Sequence, residues 1–355
     1  MKILSVETRP CRPAFFGDGY KMSFVMQRAL DHRYVRLVTE GGTGTGEISR
    51  DPTWAGAAQD AMEDAVLDAL PGTDLADLPA QLAAWRADKR LTGAAFGVEL
   101  AMLDLLSQRS GVPVSSLLGG PGSGQAPECL SLGCVAPEAL AQTIRTRGRD
   151  YPVIQAKLAG DDLEQDLARV DAALAVLGPH QELLADFNGA LTPDQAIPVI
   201  RSREHPQLIW EEPCNRFEDN VIVAHASRPL MLDQCLTTPE HFARAVMEGV
   251  ASALVIKSDA VGGLSVGRGL AQMCEAAGIR YRIDGWWCGP VAAAGVLNLA
   301  IGAGPGLISV MELTDPIDSD KRHFQRRIPG HVGPAGGPGL GPVTQVWDSV
   351  APVPA

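Results

Sequence analysis

Four apolar runs between residues 183 and 263 each end in a side chain able to bind a metal ion or move a proton. They read Leu183-Leu184-Ala185-Asp186, Leu208-Ile209-Trp210-Glu211-Glu212-Pro213, Leu230-Met231-Leu232-Asp233 and Leu254-Val255-Ile256-Lys257. The terminal polar residues recur roughly every 22 to 25 positions, which leaves room for one helix and two turns. Successive βα units have that repeat, and the C-terminal ends of their strands share one rim. Three carboxylates and a lysine on one rim point to a hard divalent cation beside an amine base. A second lysine enters from residues 151–158, where Gln155 and Lys157 share a face because strand side chains alternate with period two.

This set suits removal of a proton next to a carboxylate. Such a proton is very weakly acidic, because its loss creates a dianionic enediolate, and Mg2+ on the substrate carboxylate stabilises that charge. In a barrel the second and sixth strands lie across from each other, so Lys157 and Lys257 can face opposite sides of one carbon. One lysine takes the proton. The other returns it, for racemisation, or stays passive while a β-leaving group departs, for dehydration.

Plainer roles compete with these. Taken singly, Asp186 and Asp233 read as caps of the helices that follow; taken with Glu211 and two lysines they read as metal ligands. Glu211 and Glu212 are adjacent, so on a strand they point to opposite faces. Unpaired burial of a lysine is costly, which argues against a structural role for Lys157 and Lys257. The stretch Asp284-Gly285-Trp286-Trp287-Cys288-Gly289-Pro290 follows a seventh strand. Its tryptophans read either as packing against a covering domain or, for Trp286, as a face for a substrate cation. With the substrate carboxylate met by metal and lysines, an added ammonium needs a counterweight, and a tryptophan face offers roughly 0.5–2 kcal/mol.

The elements around these residues follow from periodicity. Residues 2–8 and 34–40 read as strands, and Ile48 closes a third after the glycine-rich run 41–46. A dinucleotide loop would need a helix directly after those glycines, and Glu47-Ile48-Ser49-Arg50-Asp51-Pro52 is not one, so 41–46 reads as a hairpin turn. Helical spacing covers about 58–70, 78–87 and 93–110, the last stopped by Gly111-Val112-Pro113. After a break at 117–122, strands and helices alternate, about eight strands in all to residue 312. Thr192-Pro193 and Thr238-Pro239 mark helix starts, Pro198 should end or kink the first of these early, and Gly278 ends the helix that starts at Leu264. The Gly/Pro-rich segment 329–342 reads as a surface return. These elements make a (β/α) barrel, with an open doubly wound sheet as the alternative in which the polar residues would be spread along an edge.

With 355 residues, 46% hydrophobic and 20% charged, the chain is long enough for a barrel and an accessory domain. A formal charge of −12 argues against nucleic acid or an anionic membrane as partner. No apolar run is long enough to span a bilayer, and the N-terminus alternates like a strand instead of forming a signal-peptide core. Seven scattered cysteines without Cys-x-x-Cys spacing read as buried thiols of a cytoplasmic protein, Cys214 and Cys288 among them, and the seven histidines read as structural or surface residues.

Five motifs in order resemble the enolase superfamily, in particular its mandelate racemase/muconate lactonizing enzyme family. Residues 94–104 with Gly111-Val112-Pro113 and Leu117-Leu118-Gly119-Gly120 are similar to the end of that family's capping domain. Asp186-Phe187-Asn188-Gly189, Trp210-Glu211-Glu212-Pro213 and Leu232-Asp233 resemble its three metal-ligand segments, and residues 256–264 resemble its lysine-bearing sixth strand. The resemblance implies a modified (β/α)7β TIM-like barrel with an α+β N-terminal capping domain: a cap over 1–125, a barrel over 126–320, and a segment 321–355 returning to the cap. It implies one Mg2+ on Asp186, Glu211 and Asp233, oriented by Glu212 and Asn188, with Lys157 and Lys257 as acid–base residues in a homo-oligomer. The family's muconate lactonizing branch usually carries Lys-x-Lys on the second strand. Here it is Gln155-x-Lys157, and a neutral Gln155 cannot help to lower the pKa of Lys157. Residues 18–23 and 284–290 are similar to loops of members acting on proline betaines and hydroxyprolines. That likeness places Tyr20, Gln155, Asp284 and Trp286 against a small carboxylate substrate carrying an ammonium. The expected reaction is racemisation or epimerisation of a proline-type acid. Dehydration of a 3-hydroxyproline is the alternative on the same scaffold, and a non-catalytic ligand-binding barrel is the alternative of another class.

Overall fold

Eight short strands pair side by side in chain order, all parallel: Cys129–Leu132, Val153–Lys157, Glu182–Asp186, Leu208–Glu211, Leu230–Leu232, Ala251–Lys257, Arg280–Asp284 and Leu307–Val310. A parallel bridge from Glu128 to Val310 joins the last strand to the first, so the sheet closes as a barrel and the open-sheet alternative falls. In this computed structural model residues 1–12, 14–15, 19–21, 26–51, 56–311 and 324–350 are described. Seven helices alternate with the eight barrel strands. Period-two alternation explains which side chains fill the ring. Cys129, Val153, Leu184, Met231, Ala253, Val255 and Ile308 pack together inside it. Their neighbours Ala185, Trp210, Leu232, Leu254 and Ile256 belong to the larger core beneath the helices.

Register then aligns the chemistry. Lys157 pairs with Asp186, Asp186 with Glu211, and Lys257 with Asp284 across adjacent strands. The polar residues thus form a row at the C-terminal rim.

The N-terminal sheet is antiparallel, with His32–Thr39 between Ile3–Cys11 and Gly42–Ile48, and the helix Thr92–Ser110 crosses it. Here the glycine-rich run differs from its expected role as a turn. Only Glu40-Gly41 turns; Gly42 onward is strand. Gly44 and Gly46 are needed because the crossing helix touches the strand's backbone. A β-carbon on them would strike the carbonyl oxygens of Ala101 and Gly97.

Two further expectations change. The helix Pro193–Ser202 runs on through Pro198. The carbonyl that loses its partner there belongs to Asp194 in the exposed first turn, where water can serve it. The Gly/Pro-rich segment is also more than a surface return. His331–Val332 pairs with Ala126–Pro127, and Val332, Leu340 and Val343 are buried. Beyond it Trp347, 2% exposed, lies between the guanidinium groups of Arg9 (4.6 Å) and Arg36 (4.4 Å) of the N-terminal sheet. Leu340 and Gly339 amides donate to Asp104 Oδ1 (2.8 Å) and Ser107 Oγ (2.7 Å) of the crossing helix. All seven cysteines are thiols, and Cys214 and Cys288 are buried. Among the described residues, no helix is long and apolar enough to cross a membrane.

Gly46→Ala tests the crossing. The clash is with backbone, which cannot swing aside, so the variant should lose on the order of 1–3 kcal/mol and melt at a lower temperature than the parent. An unchanged melting temperature in a thermal shift assay would refute the close approach.

Candidate active site

Burying three carboxylates beside one another is unfavourable unless each meets a donor, and the barrel rim supplies donors one by one. Asp186 is fully buried. It accepts from the Asn188 backbone amide (2.7 Å) and side-chain amide (2.9 Å), from Gln155 Nε2 (3.1 Å) and from Lys157 Nζ. Asn188 reaches it by adopting a left-handed backbone, φ 47°. Gln155 Nε2 also donates to Glu211 Oε2 at 2.7 Å, so one amide bridges two carboxylates. Asp233 is paired with Lys257 Nζ. Burial and the nearby Asp186 and Asp233 push Glu211 up to about 8, the mark of carboxylates crowded at low dielectric.

Glu212 departs from simple strand alternation. Its φ of 40° takes it out of the strand, so both glutamates are buried without facing opposite sides of one sheet. Its carboxylate accepts the backbone amides of Asp233 and Cys235, each at 2.7 Å. Burial, with Asp233 close by, pushes it up to about 8. Glu212 therefore fixes where the next strand end delivers Asp233.

Burial works against both ammonium groups, but the carboxylates outweigh it: Asp186, with Tyr20 and Glu211, raises Lys157, and Asp233 and Asp284 raise Lys257. Both lysines line one cavity of about 480 Å³, together with Gln155, Asn188, Asp233, Asp284 and Trp286. Tyr20 stands one residue back. Its hydroxyl lies 2.7 Å from Ser131 Oγ, which lines the cavity and donates to Gln155 Oε1 at 2.7 Å. Of the segment 18–23, Asp18, Met22 and Ser23 lie outside the described residues.

Two expected substrate contacts are already engaged. The Trp286 ring, expected to face a substrate cation, lies under Lys257 Nζ, 4.7 Å from its centre. Trp287 lines the same cavity and packs on Phe15 and Tyr20. Asp284 is paired with Arg282 Nη2 at 3.0 Å. Arg282 escaped the sequence reading. It sits two residues before Asp284, hence on the same face of its strand, and that spacing was the available signal. Burial opposes its charge, but Asp284, Glu211 and Asp233 sustain it. Arg282 thus brings to this cluster a positive charge that neutral Gln155 lacks. Ser131 was missed as well; it shares a face with buried Cys129 on the first barrel strand.

The donor set, three carboxylates from consecutive strands, fits a hard divalent cation. Among the described residues no three of His, Cys, Asp and Glu are grouped as a metal would hold them. The lysines and Gln155 engage Asp186, Glu211 and Asp233, and a cation there would take over those oxygens.

Comparison with known proteins agrees with this geometry. Residues 136–345 match the family model described as enolase C-terminal domain-like, and residues 16–119 match the mandelate racemase/muconate lactonizing enzyme N-terminal domain. A cis-3-hydroxy-L-proline dehydratase of Roseibium aggregatum is 28% identical over 57% of this chain and 56% of its own, so the match spans little more than half of that relative. L-Ala-D/L-Glu epimerase of Bacillus subtilis is 26% identical over 80% of each chain. The crystal structure of an enolase-superfamily member from Roseovarius nubinhibens complexed with magnesium superposes with a TM-score of 0.85 and 26% identity, covering 99% of this chain and 96% of that one.

Glu212→Gln tests the support of Asp233. One acceptor oxygen becomes a donor facing a backbone amide, which should cost on the order of 1–3 kcal/mol. Thermal melting should show the loss, and hydrogen exchange should rise at residues 233–235. Parent-like exchange there would remove Glu212 from this role.

Proposed function

The chain belongs to the mandelate racemase/muconate lactonizing enzyme family of the enolase superfamily, and on that premise we propose that it removes the proton α to a substrate carboxylate. The observation that carries the reading is the pair of buried lysines. Lys157 and Lys257 come from the second and sixth of eight barrel strands and line one cavity, with the carboxylate cluster between them. Asp186, Glu211 and Asp233 are the residues proposed to hold one Mg2+, with Asn188 and Glu212 orienting the first and third. When bound, the ion would supply positive charge that draws the carboxylates off the lysines and stabilises the enediolate.

The residues of the chain do the rest. A lysine released from its carboxylate can lose its proton and accept one from the α-carbon. The second lysine, on the far side, returns a proton to the opposite face. That sequence is racemisation or epimerisation of an amino-acid-type carboxylate, a proline derivative or betaine in the first instance. Asp284 and Trp286 are proposed to border the substrate's nitrogen, although Arg282 and Lys257 already engage them. The similarity to the Roseibium hydroxyproline dehydratase favours a second reading on the same residues, loss of a β-hydroxyl after proton abstraction. The division into a cap over 1–125, a barrel over 126–320 and a returning tail is part of the proposal, supported by the contacts of Trp347 and Leu340 with the N-terminal part.

Incubation with proline-type carboxylates in deuterated buffer separates the readings. Deuterium incorporation with inversion supports the first, and a keto or imino product supports the second. Silence across a broad carboxylate library would speak for a non-catalytic barrel. Asp186→Asn, Glu211→Gln and Asp233→Asn should each weaken Mg2+ binding by calorimetry and lower turnover by at least ~100-fold. Full turnover in excess chelator would end the metal assignment.

Lys157→Ala and Lys257→Ala should each abolish inversion, while each variant still exchanges the α-proton of one enantiomer through the remaining lysine. Parent-rate racemisation by both variants would rule out two-base chemistry.

A further inference from the structure

The loop that carries Trp286 is held at both ends by buried carboxylates outside the proposed chemistry. At its start, Asp259, two residues beyond Lys257, accepts the Trp286 backbone amide at 2.7 Å. At its end, Glu47 of the N-terminal sheet accepts the amides of Gly289 (2.6 Å), Val291 (3.2 Å) and Ala292 (3.0 Å). Those amides open the eleven-residue helix Pro290–Ala300, whose N-terminal dipole adds to the attraction. His32, from the neighbouring strand, meets Glu47 Oε1 through Nδ1 at 3.3 Å. Burial pushes Asp259 up to about 6, against the pull of the Trp286 amide and of the charge on His32. All three side chains are at most 1% exposed.

The loop has little room to shift between its anchors. A β-carbon on Gly289 would meet both carboxylate oxygens of Glu47, at 2.6 and 2.7 Å, and one on Gly285 would come within 3.0 Å of Asp259 Oδ2. What the loop presents to the site is the Trp286 ring against Lys257 Nζ. Asp233, the hydrogen-bonded partner of that ammonium, is one of the residues proposed to hold the metal, so metal binding would leave the ring in place beside the lysine, with the charge of Asp284 near it.

We infer that Glu47, His32 and Asp259 are positioning residues for Lys257, holding the Trp286 loop so that the ring keeps the ammonium aimed at the cavity. None of the three lines the 480 Å³ cavity. They act through the loop. The N-terminal sheet would thereby set the geometry of one proton-transfer face, the Lys257 face, directly, whereas Lys157 is reached only at a distance, through Asp186 and the chain Tyr20–Ser131–Gln155 that the loop touches at Trp287. The inference rests on the two-lysine reading above for its consequence, but its structural content can be tested apart from turnover.

The protein labelled with 5-fluorotryptophan reports on the ring by fluorine NMR, the Trp286 signal being assigned as the one lost in Trp286→Leu. Lys257→Met should shift that signal, since it removes the ammonium. Glu47→Gln and Asp259→Asn should shift or broaden it too, leaving those of Trp210 and Trp347 unmoved. Hydrogen exchange at residues 286–292 should rise in both variants. On a carboxylate that the Mg2+-loaded parent turns over, Glu47→Gln should lower kcat by ~10- to 100-fold with KM nearly unchanged. The α-proton exchange assigned to Lys257 should fall further than that assigned to Lys157. A Trp286 signal that answers to Lys257→Met but not to Glu47→Gln or Asp259→Asn would overturn the positioning role. So would equal loss of exchange on both faces. A parent that turns over no carboxylate, with the fluorine shifts as expected, would count against the proposed reaction and leave the clamp standing.

Discussion

Charge can be held inside a protein only where opposite charge or hydrogen-bond donors meet it, and that constraint organises this barrel's rim. Asp186, Glu211 and Asp233 are each at most 6% exposed, and every one is matched. Asp186 and Asp233 have a lysine each, Glu211 has the Gln155 amide, and Arg282 stands near enough to Glu211 and Asp233 to be held charged by them. Among the described residues Glu211 has an amide but no ion-pair partner, and burial and its neighbours push it up to about 8. Such a cluster is what a divalent cation would relieve. Each buried carboxylate costs several kcal/mol before compensation.

The same constraint ties the N-terminal part to the barrel. Glu47 is buried at no measurable exposure, and its partners are three backbone amides at a barrel helix's start and a histidine from its own sheet. Glu99, on the crossing helix, is held by Arg86 and by the Ser265 amide of another barrel helix. Tyr20 reaches the acidic cluster through Ser131 and Gln155. The two parts are thus joined by polar contacts that need both to be satisfied, and the C-terminal Trp347 between Arg9 and Arg36 adds a third attachment.

Much of the barrel and its row of polar residues was legible in the residues themselves. Apolar runs of four or five residues, spaced for a helix between each, can bury their side chains only as parallel strands. Because side chains alternate along a strand, the residue that ends each run is bound to a definite side of the sheet. Asp186, Glu211, Asp233, Lys157 and Lys257 could be named from that regularity and from the motifs around them. Helix starts such as Thr192-Pro193 and the stop at Gly278 are local chemistry, and they fall where the residues say.

What depended on distant contacts was not legible. The strand role of Gly44 and Gly46 comes from a helix that crosses them some fifty residues later in the chain, and nothing near the glycines announces it. The partners of Trp286 and Asp284 were decided by Lys257 and Arg282 on neighbouring strands, so a ring and a carboxylate that read as free for a ligand are engaged within the protein. Glu47 stood out in no motif, because the amides it serves lie more than two hundred positions away, and His32, which meets it, read as a structural or surface histidine. The sequence by itself determined which residue types stand at the strand ends. Only the folded chain decided which of their charges meet one another, since pairing at a distance depends on register and closure, and local pattern carries neither.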